Sequence, residues 1–372
     1  MEIDNIRVLH IDTEHAWGGG QQQVAYLMDY MHKQGLNNTA LVCQPKSYFE
    51  KYCKEKGIPF YPVKMRGEMD FIAGYKIARL CKKNNFNILH LHSAHALASG
   101  LWAKLFYNKI KLIGSRRVSI HIRNNPLSLF KYSNRMIDKI VCVSNQIKDT
   151  LLKDGIPEHL VVTIYSGVDL KKFTDVLPPP AFRKQWNIPD DHILVGTVAS
   201  MVEAKDYPTF LKAAKIITDI NDKITFFAVG NGPKEKEIYD FAKDLGLSKR
   251  FIFSGFQKEV GIFLKSFDIF VLSSSFEGLG TSILDAQGVG LPVVATKTGG
   301  IPEIIRHNVN GMLIEQGNPQ ALADAIVELA TNKEKRKTLG EKAMETVKDF
   351  SIENTVQKNL SLYKEILNSK KP

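Results

Sequence analysis

Cysteine is scarce: the 372-residue chain has four (Cys43, Cys53, Cys81 and Cys142), far apart and without a CxxC pair. That spacing argues against a disulfide framework and a cysteine zinc site, and leaves reduced, mostly buried thiols as the expectation. Long apolar runs are missing as well, since none approaches the roughly 20 residues of a membrane-spanning helix. The stretch MEIDNIRVLHI has neither the basic start nor the apolar core of a secretion signal, and is expected to enter the fold directly as a strand. There is no short repeat and no low-complexity tract. With 44% hydrophobic and 24% charged residues, wholesale disorder is excluded. The GxGxxG fingerprint of dinucleotide-binding proteins does not follow the first predicted strand, which argues against a nicotinamide dehydrogenase.

What the chain has in excess is positive charge. Lys and Arg number 50 against 39 Asp and Glu, a net of +11. Residues 1–180 hold 25 basic and 15 acidic side chains, residues 181–372 hold 25 and 24, and residues 51–150 alone hold 19 and 5. A field so one-sided suits a polyanion: nucleic acid, an anionic membrane surface or a phosphorylated substrate. Composition does not choose among them.

Short β-rich runs alternate with helix-period segments. RVLHI (7–11), NTALVC (38–43), PFYPV (59–63), ILHLH (88–92), KLIGS (111–115), KIVCVS (139–144) and LVVTIY (160–165) read as strands, with helices such as 21–33 and 69–84 between them. Continuous apolar strands separated by helices predict parallel strands buried on both faces. TDVLPPPAF (174–182) is a stiff linker and the expected domain boundary. The alternation then restarts, with strands at 193–199, 224–230, 250–255, 269–274 and 291–296 and helices at 207–220, 233–244 and 282–287. Three helices close the chain, near 319–330, 333–350 and 353–367. The predicted class is α/β, two doubly wound Rossmann-like domains in tandem, with a ligand expected in the cleft that they face.

Two segments carry the chemistry. Trp17-Gly18-Gly19-Gly20 follows the first strand and opens a helix, where glycines let backbone approach a ligand and free N–H groups attract an anion. In SSSFEGLGTSILDAQG (273–288) a strand ends, a glycine loop carries Glu277, and a helix begins near Thr281. The backbone N–H groups of Leu279, Gly280 and Thr281, beside Gly278, suit a diphosphate, while Glu277 and Asp285 suit sugar or ribose hydroxyls.

AVGNGPKEKEIYDFAKDLGL (228–247), FSGFQKEV (253–260), DIFVLSSSFEGLGTSILDAQGVGLPVVATKTGGIPEII (268–305), NGMLI (310–314) and YSGVDLKKF (165–173) occur in the order found in family 4 of the retaining glycosyltransferases. The chain resembles that family over essentially its whole length, most strongly over 193–330. The resemblance implies the GT-B fold: an acceptor domain at 1–177, a nucleotide-sugar domain at 181–350, and a C-terminal helix (351–372) packing back toward the first domain. It maps the family's paired glutamates onto Glu277, near the donor sugar and its phosphates, and Asp285, at the ribose. The family's phosphate-binding Arg and Lys fall on Ser200 and Lys205, so one cation of that pair is absent. Gly230, Asn231, Gly232, Phe256 and Gln257 would line the base pocket. Gly18, Gly19 and Gly20 would lie near the diphosphate. His92 is a candidate at the sugar or acceptor. Where the family often has a sugar-contacting histidine, this chain has Arg116 and Arg117, whose forked guanidinium favours a carboxylate or phosphate.

The implied reaction moves a sugar from a UDP-, GDP- or ADP-linked donor to a glycan or lipid-linked acceptor, with retention. No cofactor and no metal are expected, and the sequence contains no Asp-x-Asp motif. Closure of the two domains would exclude water from the donor. Basic and aromatic residues from Trp102 to Lys139 suit an anionic bilayer. The expected setting is therefore cytoplasmic, peripheral at the inner membrane face, in cell-envelope glycan synthesis and without a nucleic-acid partner. The alternatives are a nucleotide-sugar epimerase or other GT-B enzyme, and a non-enzymatic basic module binding nucleic acid or membrane.

Overall fold

In the computed structural model, which describes residues 5–369, the chain forms two compact units: residues 5–167 with 352–369, and Val168–Ser351. The first contains β1 (Val8–Ile11), β2 (Thr39–Cys43), β3 (Phe60–Pro62), β4 (Ile88–Leu91), β5 (Lys111–Arg116), β6 (Lys139–Cys142) and β7 (Val161–Thr163). The second contains β8 (Ile193–Val198), β9 (Ile224–Val229), β10 (Phe251–Phe253), β11 (Ile269–Leu272), β12 (Val293–Thr296) and β13 (Met312–Ile314). Every pairing is parallel. The orders are β3-β2-β1-β4-β5-β6-β7 and β10-β9-β8-β11-β12-β13. Helices separate the strands, so both sheet faces need apolar side chains, which is why these strands read as unbroken Val, Ile and Leu runs. These are the two Rossmann-like lobes of the GT-B architecture.

Strand order reverses between β1 and β4 in the first unit and between β8 and β11 in the second. In open α/β sheets, ligands lie beyond the carboxyl ends of strands at that reversal. The loops after Ile11 and Leu91, and after Val198 and Leu272, are therefore the places to look.

Two features depart from the sequence expectation. β13 is only three residues long, too short to show a period, and pairs along β12. The division between units falls at Gly167 and Val168 rather than at the prolines 178–180, because Phe173 and Val176 pack around Gly261 of the second unit. The terminal helix Ile352–Asn368 belongs to the first unit, with Val356, Leu360 and Tyr363 buried against Tyr26, Tyr30, Ile88 and Ile113. All four cysteines are free and buried.

Candidate active site

In the second unit the chain leaves β8, makes a short 3-10 turn at Glu203–Lys205, and enters the helix Tyr207–Thr218. Asp206 (φ +43°) caps that helix, its carboxylate accepting from the Thr209 amide at 3.2 Å and hydroxyl at 2.6 Å. The turn is laced to the loop after β11. Ser273 Oγ donates to the Lys205 and Asp206 carbonyls at 3.0 Å, and the Ser275 amide donates to Ala204 O at 3.0 Å. Lys205 Nζ is thereby held against Glu277 Oε1, which also accepts from Ser274 Oγ at 2.8 Å. Glu277 is buried and Lys205 half-buried, so the pair is less screened than a surface ion pair.

Gly278, Leu279 and Gly280 then turn the chain into the helix Thr281–Gly288. Gly280 has φ +90°, and no side chain caps the helix. Leu279 is buried, which leaves its backbone as its offering to a ligand. The motif Thr-Gly-Gly-Ile-Pro-Glu explains itself at Gly299, where φ is +52° and a Cβ would come within 1.9 Å of Glu277 O. Gly299→Ala must therefore push the Glu277 loop aside. We expect it to destabilise the protein by roughly 2–3 kcal/mol, and a thermal melt together with nucleotide affinity measured on the same variant checks this.

Asp285 lies farther along the helix Thr281–Gly288, and Lys172 Nζ sits 2.8 Å from its carboxylate. Lys172 was not singled out in the sequence, although it belongs to the quoted YSGVDLKKF segment. Gly230 and Gly232 have a packing role: a Cβ on them would come within 2.1 Å of Ala199 O and 2.5 Å of Met201 O. They let the loop after β9 lie flat on the loop after β8, where Asn231 O accepts from the Met201 amide at 2.9 Å. Asn231, Ser200 and Phe256 are exposed, and Gln257 Nε2 is turned back onto Ser254 O at 2.9 Å.

The first unit builds a different kind of centre. β1 and β4 pair with His10 beside His90, and alternation puts His92 and Asp12 on that same face, one residue beyond each strand. His10, His90 and His92 are all buried. His90 Nδ1 lies 2.6 Å from the Tyr363 hydroxyl and its Nε2 lies 2.8 Å from Ser115 Oγ. His92 Nε2 and His10 Nδ1 are 3.0 Å apart, and Arg117 reaches His92 Nδ1 at 3.4 Å. A guanidinium only donates, so His92 Nδ1 accepts, and its Nε2–H donates to His10. Burial holds the His10 imidazole down at about 3 and keeps His90 and His92 well below the usual range. The trio is therefore neutral.

The three rings come close enough for one nitrogen of each to lie within 4.8 Å of the others, a spacing that would suit a metal ion. The group does not fit one well: both His90 nitrogens are taken by Tyr363 and Ser115, His10 Nδ1 and His92 Nε2 are spent on each other, and the Arg117 guanidinium sets a positive charge against a dication. Arg117 itself packs beneath the glycine loop, its Cδ 3.6 Å from where a Gly20 Cβ would be. Burial lowers its pKa to about 10, partly offset by Asp12. Its Nε has no partner among the described residues. Burial pushes the Asp12 carboxyl up from its ordinary value, and the carboxylate accepts from the Glu14 amide at 2.9 Å. Gly18 caps the helix Gly19–Lys33 without a side chain. A small cavity of about 30 Å³ opens beside His90, His92, Ser115 and Arg117.

The two neighbouring arginines, expected together at the sugar, separate. Arg116 is buried and donates to the Tyr132 hydroxyl at 3.1 Å and to Ile120 O at 2.6 Å, so it holds the segment after β5 in place. Successive residues at a strand end point to opposite faces, which is the reason.

Two family models match the chain: "Glycosyltransferase Family 4" over residues 17–172 and "Glycosyl transferases group 1" over residues 180–346. The chain is 30% identical over 311 residues to an uncharacterized glycosyltransferase of Methanocaldococcus jannaschii, covering 82% of each. It is 26% identical over 334 residues to the N-acetyl-alpha-D-glucosaminyl L-malate synthase of Bacillus anthracis, covering 88% of this chain and 87% of that one. Among solved structures, HepE of Anabaena in complex with UDP-glucose aligns with a TM-score of 0.85 at 19% identity, over 97% of this chain and 100% of that one. The order of motifs, the paired Rossmann-like lobes and these likenesses agree: the chain belongs to the family 4 glycosyltransferases of GT-B fold, enzymes that move a sugar from a nucleotide diphosphate sugar to an acceptor hydroxyl.

Proposed function

We propose that the chain is a retaining, metal-independent glycosyltransferase whose second unit holds the donor and whose first unit receives a glycan or lipid-linked acceptor in cell-envelope synthesis. The observation that carries this reading is the Lys205–Glu277–Ser274 cluster, with Lys205 half-buried over the buried Glu277 and Ser274, beside the uncapped N-terminus of the helix Thr281–Gly288. A lysine and a set of backbone N–H groups on adjoining loops match the charge that grows on a departing diphosphate. Glu277 keeps Lys205 in place and offers its carboxylate to a sugar hydroxyl, while Asp285 and Lys172 lie where a ribose would meet the same helix. The bond from the anomeric carbon to the phosphate oxygen breaks as the acceptor oxygen bonds to the same face of the sugar. The acceptor proton passes to the phosphate oxygen that leaves. Lys205 and the helix N–H groups stabilise that oxygen.

Arg117, with its unused Nε–H beside the glycine loop, pairs in this reading with an anionic group on the acceptor or donor sugar. The curated relative from Bacillus anthracis is named for a malate acceptor, which carries such groups. No described helix is long and apolar enough to cross a membrane, so contact with a lipid-linked acceptor would be made from the membrane surface.

Titration with UDP, GDP and ADP identifies the donor class, and one of them should raise the melting temperature well above the others. With the matching sugar nucleotide and acceptor, the product should keep the donor's anomeric configuration and form in excess EDTA. Inverted product, or turnover without acceptor as an epimerase would give, overturns the reading. Arg117→Ala should weaken acceptor or donor affinity about tenfold or more; unchanged affinities remove Arg117 from the site.

A further inference from the structure

Between Asp70 and Asp138 the sequence contains no acidic residue at all, while 12 Lys and Arg fall in that interval. The same interval carries much of the exposed apolar surface of the first unit. Phe71 and Tyr75 on the helix Phe71–Asn84, Phe106 ending the helix Ala94–Phe106, and Leu127 and Phe130 on the helix Pro126–Tyr132 are all exposed, as is Met69 just before them. Met69 is 78% exposed, Leu127 76% and Phe130 69%, values unusual for side chains of this size.

The three helices that carry these residues are tied together. Gly74 lets the first helix lie directly on Trp102, where a Cβ would approach Trp102 Cβ to 2.3 Å. Tyr75 and Phe106 meet edge to face at 5.5 Å. Trp102 Nε1 donates to Glu68 O at 2.9 Å, and the Glu68 carboxylate pairs with buried Lys131, which ties the third helix to the same loop. Lys76 and Arg79 are exposed on the first of these helices, and Lys109 and Arg123 on the loops that follow the second helix and precede the third. The nearest acids are occupied: Glu68 by Lys131, and Asp70 by the amides of Arg66 and Ala73.

We propose that this face docks onto an anionic lipid bilayer, its aromatic and aliphatic side chains entering the headgroup boundary and its cations meeting lipid phosphates. Cations interleaved with aromatics, in a stretch of sequence without Asp or Glu, are complementary to such a surface. The same charge repels a second copy of this chain, which argues against self-association through the patch. The proposal deepens the reading of a lipid-linked acceptor and rests on it for its purpose, while its test is independent of that reading.

The full chain is floated with vesicles of phosphatidylcholine alone or with 30% phosphatidylglycerol, at low and high salt. Binding should require the anionic lipid and weaken with salt. Replacing Lys76, Arg79 and Arg123 by Gln should lower the partition coefficient roughly a hundredfold, at about fivefold per cation. Phe71→Ser with Phe130→Ser should lower it at least tenfold. Both variants should keep the wild-type melting temperature and nucleotide affinity. Loss of nucleotide binding in the wild type would count against the enzymatic reading and leave the docking test intact. The docking proposal falls if the wild type does not float with anionic vesicles, if both variants float as well as it does, or if light scattering shows that the patch instead holds a dimer together.

Discussion

Lys205→Ala is expected to lower the turnover of a saturated enzyme about 10²–10³-fold. The size of the loss follows from how few cations serve the diphosphate in the proposed donor site. The family pairs an Arg with the Lys on this loop, and here Ser200 stands in the Arg position, exposed and neutral. Lys205 is left as the single side-chain cation of that pair, held by Glu277 as Lys172 is held by Asp285. A charge fixed before the reaction acts at the moment the phosphate leaves, with no reorganisation to make.

Truncation also leaves the buried Glu277 carboxylate with Ser274 as its remaining partner, which should cost about 1–3 kcal/mol of stability. The two effects separate in a double variant. Adding Glu277→Gln removes the unpaired charge and keeps an acceptor for Ser274, so the melting temperature should recover while turnover stays low. Lys205→Arg should retain part of the rate. A change in turnover of less than tenfold for Lys205→Ala would take the lysine out of the transition state.

Much of this arrangement can be read from the chain alone, and the parts that cannot share a cause. Buried parallel strands leave continuous apolar runs, so both sheets and the loops at their carboxyl ends are visible as a pattern. Gly299 and Gly280 are legible as motif letters, and the structure supplies their reason in close approach and positive φ. What a linear pattern does not carry is which strand lies beside which. His10 and His90 look like isolated polar residues in apolar runs until the β1–β4 register sets them side by side. Tyr363 reaches His90 from the far end of the chain. The separation of Arg116 from Arg117 was available from strand alternation, since neighbours at a strand end face opposite ways. The three prolines mark a stiff segment, and stiffness does not say which body the segment packs on.

The histidine cluster has a consequence for the whole first unit, which should unfold when the pH falls below about 5. His10, His90 and His92 are neutral in the folded protein, with the His10 pKa lowered to about 3 and the others well below their ordinary value. In the unfolded chain each titrates near 6.5. Below that pH the unfolded state binds protons that the folded state refuses, so stability declines as pH falls, by up to about 1.4 kcal/mol per histidine per pH unit. Three such groups together approach about 4 kcal/mol per unit, against a typical domain stability of 5–15 kcal/mol. The neighbours do not rescue them: Arg117 adds to the penalty on His90 and His92, and Ser115 and Tyr363 are neutral partners. Between pH 6 and 5 the carboxylates of the unfolded chain remain largely ionised, so the three histidines dominate the slope there. Below about pH 4, Asp70 and Asp154, whose folded pKa values are depressed, lose their contribution as well; Asp12, raised by burial, works in the opposite sense, and does so above the unfolded carboxylate value. Denaturant unfolding followed at pH 7, 6, 5.5 and 5 measures the slope, and proton uptake on unfolding at pH 5.5 should approach three. His10→Asn should remove about one proton of that uptake and flatten the slope accordingly. A stability that stays level from pH 6 to 5 would mean that the three rings are already charged or solvated in the folded protein.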